Sequence, residues 1–171
     1  NFVGLDNYIT MFTEDTTFQK VIGNSLYFML GLVPLNISLS LLVAVLLAQK
    51  IRFVGIFRTM AFTPVITSII VWSIVWKYIL AVDYGIVNGL LEYLGLERIN
   101  WFYNMKLTMP MLIVTTCFKG MGFNMVIFLS AIKSVPVVFY EASRIDGASK
   151  WMTFRKITIP LISPSIFLAL V

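Results

Sequence analysis

Residues Ser25–Ala48 read SLYFMLGLVPLNISLSLLVAVLLA, a run with no charged side chain. At 1.5 Å per residue, a helix of that length crosses a hydrocarbon core of about 30 Å with some tilt. Water would have to solvate this surface, whereas lipid does so at no cost. Pro34 is expected to kink the helix, with neighbouring helices satisfying the freed carbonyl. Asn36, Ser38 and Ser40 are expected to bond across to other helices rather than to a ligand.

The rest of the chain agrees with that reading. Of its 171 residues 59% are hydrophobic and only 12% charged, and the mean hydropathy is +0.90. A soluble domain of this size could not bury so much apolar surface. There is no His, and the lone Cys117 lies inside an apolar segment. That excludes a disulfide framework and a Cys/His metal site. We therefore expect an all-α membrane protein, a polytopic helical bundle, with no catalytic residues and no bound metal.

A second span is expected over 56–80, broken at Pro64, with Trp72, Trp76, Tyr78 and Lys77 in the aromatic belt at its end. A third is expected over 107–132. Residues 1–23 and 81–106 carry most of the acids and suit extracytoplasmic interfacial segments. Within the second of these, GIVNGLLEYLGL is too short to cross and fits an interfacial or re-entrant helix. Residues 161–171 read as the start of a further, truncated span. The chain begins at Asn1 without Met and stops inside LISPSIFLALV. The expectation is an internal piece of a longer protein, lacking a first span and C-terminal spans.

Charge sets the orientation. Alternate loops must lie on opposite sides, and one side collects Lys50, Arg52, Arg58, Lys133, Arg144, Lys150, Arg155 and Lys156. Positive residues mark the cytoplasmic face, so the loop over 133–160 is cytoplasmic. The basic balance therefore serves topology, and nucleic acid is not an expected partner.

Within that loop, Glu141–Pro160 reads EASRIDGASKWMTFRKITIP. Ser134 and Pro136 suit a helix start. Val135, Val138, Ala142 and Ile145 follow at helical spacing, and Gly147 stops the helix because a left-handed cap is cheap only for glycine. A second short helix, SKWMTFRKI, is expected to carry Trp151 and Phe154 on one side, to be capped by Asp146, and to end at Pro160. Two short helices meeting at a glycine elbow make a compact knob suited to docking in a groove of another protein. A basic linker lying flat on the bilayer would account for the same composition.

The spacing itself resembles a known family. Glu141-Ala142-Ser143, three residues, Gly147, nine residues, Ile157, one residue, then Ile159-Pro160 looks like the EAA loop of ABC importer permeases. Ser143 stands for the motif's third alanine and Ile159 for its leucine. SRIDGAS, SAIKSVP and KGMGFNMVIFL, with FVGLDNY at the start, are similar to the carbohydrate-uptake branch of that family. The resemblance implies a type I importer permease fold in a bacterial or archaeal cell membrane. It implies that Glu141, Ala142, Ser143, Asp146, Gly147, Ala148, Ile157 and Pro160 couple the spans to a cytoplasmic ATP-binding subunit dimer. ATP and Mg would sit in that partner, since this chain has no GxxxxGK[ST]. A second permease subunit, an extracytoplasmic solute-binding protein and a sugar cargo are implied with it. A polyol or glycerol phosphate is the alternative cargo. An ion-coupled secondary transporter is a further alternative, against which stands the absence of any acid in the spans.

A cargo path needs polar groups inside the membrane. In the third span Lys119 lies near mid-depth, and Thr116, Gly120, Phe123 and Asn124 share a face at helical spacing. These five are the expected path residues, although tight helix packing would use the same residue types.

Overall fold

The computed structural model describes residues 4–49 and 52–170, and these are helical with no strand among them. Lys50 of the basic set and the first residues of FVGLDNY lie outside the described residues. Helix α1 covers Asp6–Thr13 and leaves Tyr8, Ile9 and Phe12 exposed, as an interfacial helix would. Asp15 then starts α2, Thr16–Ala48: its carboxylate accepts from the Thr17 and Phe18 amides at 2.8 and 3.0 Å. The helix thus begins well before Ser25. Apolar content marks where lipid begins, but the cap marks where the helix begins, and here the two differ. Pro34 does not interrupt α2, which runs 33 residues through it.

The segment read as a second span is two helices. Helix α3, Val54–Ile66, and α4, Ile69–Ile79, meet at 105°. Neither alone reaches the ~20 residues a crossing needs. The break falls at Thr67–Ser68, not at Pro64, which sits in the last turn of α3. Local chemistry explains the shift. Thr59, Thr63 and Thr67 each donate to the carbonyl four residues back, a pattern that bends helices. Ser68 then caps α4 by accepting from the Ile70 amide.

Helix α5, Ile86–Tyr93, lies in the loop that follows. Asn88, 1% exposed, organises that loop from within. Its amide donates to the carbonyls of Ala81, Val82 and Ile99, and its oxygen accepts from the Ile99 amide and the Trp101 indole. Outside this knot Arg98 pairs with Glu92 at 2.8 Å, and that bond holds the guanidinium pKa above its ordinary value.

Helix α6, Thr108–Ser134, is the axis of the packing. Ala44 and Leu47 of α2 meet Met125, Phe128 and Leu129 of α6 in the buried core. Helix α3 comes close enough that a Cβ on Gly122 would collide with the Ala61 carbonyl. Helix α7 covers Val137–Ile145. Helix α8, Lys150–Thr153, passes through one π-helical turn, Phe154–Thr158, directly into α9, Ile159–Leu170. Pro160 therefore does not end the second loop helix. The wide turn absorbs the proline, whose missing N–H and bulky ring an unbroken α-ladder could not accommodate. Together α2, α6 and Lys150–Leu170 are long and apolar enough to cross a membrane, and the bent α3–α4 pair counts as a fourth crossing if it acts as one span.

Candidate functional site

The elbow at Gly147 is built by backbone bonds. Its φ is +70°, in the left-handed region. The Gly147 amide donates to Arg144 O at 3.1 Å, and the Ala148 amide to Ser143 O at 2.9 Å. That pair of bonds is a Schellman cap. Asp146 is the last residue of the turn and caps nothing with its side chain; Ser149 caps α8 instead, accepting from the Met152 amide. Glu141 and Arg144 form no ion pair, and the one ion pair among the described residues is Arg98–Glu92.

Past the elbow the two helices are tied side by side. Ser143 is buried, donates to Tyr140 O, and has its hydroxyl 3.2 Å from that of Thr153. The Tyr140 and Thr158 hydroxyls lie 3.3 Å apart. The outward side stays apolar and bare: Val138 is 62% exposed, Ile145 87% and Trp151 69%. Trp151 and Phe154 stack at 5.6 Å, as their spacing predicts. Glu141, Ala142, Gly147 and Ile145 thus share an exposed surface, while Ser143 faces inward. Ile157 is half-buried and Pro160 exposed, beyond the knob on the way into α9. A hollow of about 540 Å³ behind the knob has Lys133, Arg144 and Lys150 on its wall.

The five path residues do not act as one surface. Asn124 donates to Asn36 Oδ1 at 2.8 Å, and Asn36 donates in turn to Cys117 O at 3.2 Å. Ser40 adds a bond to Met121 O. This polar seam joins α2 to α6, as expected of Asn36 and Ser40, and Asn124 takes part in it. Gly120 faces the same seam, where a Cβ would stand 3.2 Å from Asn36 Nδ2. Phe123 is exposed on the outside of α6.

Lys119 and Thr116 lie elsewhere. The Lys119 ammonium donates to Pro64 O at 3.1 Å and Thr67 O at 2.6 Å, so it caps the broken end of α3. Both residues line a cavity of about 250 Å³ with Trp72, Ser73, Trp76 and Phe102. The two tryptophans expected in the aromatic belt line this cavity. They stack edge-on at 5.8 Å against α6, and Trp72 Nε1 donates to Thr115 O at 3.1 Å. Sequence spacing missed them because the 105° bend, not the helix period, carries them onto α6.

Residues 16–171 match the family described as binding-protein-dependent transport system inner membrane component. The chain belongs to that family. It is 32% identical over 168 residues to the lactose transport system permease protein LacF of Rhizobium radiobacter, covering 96% of this chain and 56% of LacF. Its fold matches a crystal structure of a bacterial ABC transporter involved in the import of the acidic polysaccharide alginate, with TM-score 0.82, 27% identity, 99% of this chain covered and 59% of the other. It also matches that of a bacterial alginate ABC transporter in complex with an alginate pentasaccharide-bound periplasmic protein, with TM-score 0.81 and 27% identity, over 96% of this chain and 57% of the other. This permease chain spans somewhat over half the length of each. The architecture is that of an ABC importer permease, and the family is one of membrane transport components. Within that frame the permease's glycine elbow falls where the EAA spacing places it.

Proposed function

We propose that this chain is the membrane-spanning part of an ATP-driven, binding-protein-dependent sugar importer. The observation that carries the reading is the Gly147 elbow: a rigid two-helix knob with bare apolar residues beside the basic face. A cytoplasmic ATP-binding subunit dimer receives the knob in a cleft, and its closure on ATP and Mg moves α7–α9 and, through them, α6. Glu141, Ala142, Asp146, Gly147 and Ala148 lie at that contact; Ser143 ties α7 to α8 at Thr153, and Ile157 and Pro160 lie where the knob runs on into α9. A second permease subunit completes the path, and an extracytoplasmic solute-binding protein delivers the sugar above the loop organised by Asn88. The cell membrane of a bacterium or archaeon is the setting. Family membership and the likeness to LacF and to the alginate importer support the sugar assignment.

The test is capture of the partner. Cysteines at Ala142 or Ala148 of the full-length protein, expressed with the other subunits, are expected to crosslink to a nucleotide-hydrolysing subunit. Uptake into vesicles is expected to stop on ATP depletion and to survive collapse of the ion gradients. No crosslinked ATPase at either position, or uptake that follows the gradient, would overturn the reading.

A further inference from the structure

The hollow behind the knob lies away from the bare apolar residues offered for docking: none of Val138, Ile145 and Trp151 lines it. At about 540 Å³ it falls within the roughly 300–1,000 Å³ of small-molecule sites. Two kinds of element wall it. Val45 and Ala48 belong to the last turn of α2, and Ile132 and Lys133 to the last turn of α6. Tyr140, Arg144, Lys150 and Thr153 belong to α7 and α8. The hollow therefore sits where two membrane-length helices end, with the knob on its other side.

Its charge has one sign. Lys133, Arg144 and Lys150 stand on the wall, and among the described residues none of them forms an ion pair. Residues 16–82 contain no acid, and residues 98–171 contain only Glu141 and Asp146. Both of those acids lie off the wall. Three cations around one concavity with no acid among them concentrate anions there. Topology alone does not ask for this grouping. Arg155 and Lys156, in the same loop, mark the cytoplasmic side equally well without lining the hollow.

The rest of the wall is apolar: Val45, Ala48, Ile132, Val135, Val137 and Phe154. A soluble anion gains nothing from such a surface, whereas a lipid does. Away from the hollow, α2 has no charge between Lys20 and Lys50, and α6 none between Lys119 and Lys133. Acyl chains can therefore lie along both helices while a headgroup stays among the cations. Basic pockets between spanning helices on the cytoplasmic side suit anionic headgroups for this reason.

We propose that the hollow holds the headgroup of one anionic phospholipid, its phosphate among Lys133, Arg144 and Lys150 and the start of its acyl chains on Val45, Ala48 and Ile132. The site goes beyond the importer reading and does not depend on the cargo. Phosphatidylglycerol brings a negative charge and no cation. Phosphatidylethanolamine carries an ammonium as well, which a wall without acids repels, so net charge is selected rather than phosphate alone. Lys133 comes from α6, and Arg144 and Lys150 come from the knob. The bound headgroup therefore bridges the two and holds the knob to the span ends.

The experiment is native mass spectrometry of the full transporter, stripped of lipid in detergent and titrated with three probes. These are dioleoyl phosphatidylglycerol, dioleoyl phosphatidylethanolamine, and glycerophosphoglycerol, which is the first headgroup without its acyl chains. One phosphatidylglycerol is expected to bind at least roughly fivefold tighter than phosphatidylethanolamine, and glycerophosphoglycerol to compete poorly. Lys133→Gln, Arg144→Gln and Lys150→Gln are each expected to weaken phosphatidylglycerol about fivefold, the worth of one cation beside an anionic headgroup. Arg155→Gln combined with Lys156→Gln is expected to leave it within about twofold, since neither lines the hollow. Should one variant fail to assemble, the other two and the wild-type ranking still decide. Equal affinity for the two lipids, or an equal loss in the Arg155/Lys156 variant, would reduce the site to a diffuse basic surface and overturn it. Competition by glycerophosphoglycerol as strong as the lipid's own binding would assign the hollow to a soluble phosphate instead. Unchanged lipid binding with release of the ATP-binding subunit from Arg144→Gln or Lys150→Gln would put an acidic protein surface there, and the lipid site would fall.

Discussion

Asn88 and Asn36 are single polar residues in apolar surroundings, and each holds together more backbone than a helix turn. Removing the Asn88 side chain leaves the Ile99 amide and three carbonyls without their partner inside a folded loop. Asn88→Ala is expected to cost about 2–4 kcal/mol of local stability and to speed proteolysis within residues 81–106. Unchanged cleavage would mean that other contacts hold the loop. The Asn36–Asn124 bond is worth less, because in lipid the alternative partners are also inside the protein. Each of Asn36→Val and Asn124→Val is expected to lower the unfolding midpoint in detergent, with a coupling of about 0.6 kcal/mol between them. Additive losses would show that the two amides do not depend on each other. Asn36 and Ser40 were legible as helix-joining residues, since polar groups in an uncharged span have few other uses. Asn124 was not legible in that role: its spacing fits a solute face as well as a seam, and its bond to Asn36 depends on where α2 lies.

At the scale of elements, the helices were legible wherever one residue type settles the backbone. Gly147 ends α7 because its φ of +70° excludes a side chain at low cost. Nothing lies within 4 Å of a Cβ built there, so Gly147→Ala costs only the backbone strain, about 1 kcal/mol. It is expected to leave insertion intact and to lower transport modestly. Gly147→Asp adds a charge to the bare docking face and is expected to separate ATP hydrolysis from uptake; full transport by that variant would refute the lever. The bend between α3 and α4 was not legible, because proline is the stronger breaker in sequence and Pro64 drew the break to itself. What moved it three residues on is a long-range contact, Lys119 on the Pro64 and Thr67 carbonyls, joined to a local cap at Ser68. Gly122 marks the other side of the same contact. Gly122→Ala would drive a methyl into the Ala61 carbonyl and is expected to cost about 1–3 kcal/mol. Gly120→Ala meets only the end of the Asn36 side chain and is expected to cost less. Thermal unfolding of the pair tests the order.

In the whole molecule, α6 touches α2, α3 and α9, so under the proposed coupling a force entering at the loop reaches the cavity along α6. Whether it arrives depends on whether α7 and α9 move together. The Ser143–Thr153 and Tyr140–Thr158 hydroxyl contacts span the elbow on its inner side, and the π-helical turn carries α8 into α9 without a break. A π turn is a weak point in a helix and is often found at functional sites, which leaves two possibilities. Either the turn flexes in each cycle, or the cross-contacts hold the knob and α9 as a single lever. The Tyr140–Thr158 contact favours the lever, since bending within the turn would have to separate it, whereas Ser143 and Thr153 both lie on the knob side of the turn. A disulfide tests whether the knob itself is rigid: Ser143→Cys with Thr153→Cys places two short side chains where hydroxyls already stand 3.2 Å apart. Oxidation is expected to form the bond readily and to leave ATP-driven uptake within about twofold of the reduced protein, with the unfolding midpoint raised as chain closure predicts. If oxidation stops uptake and reduction restores it, α7 must move against α8 during transport, and the knob is then not a rigid unit.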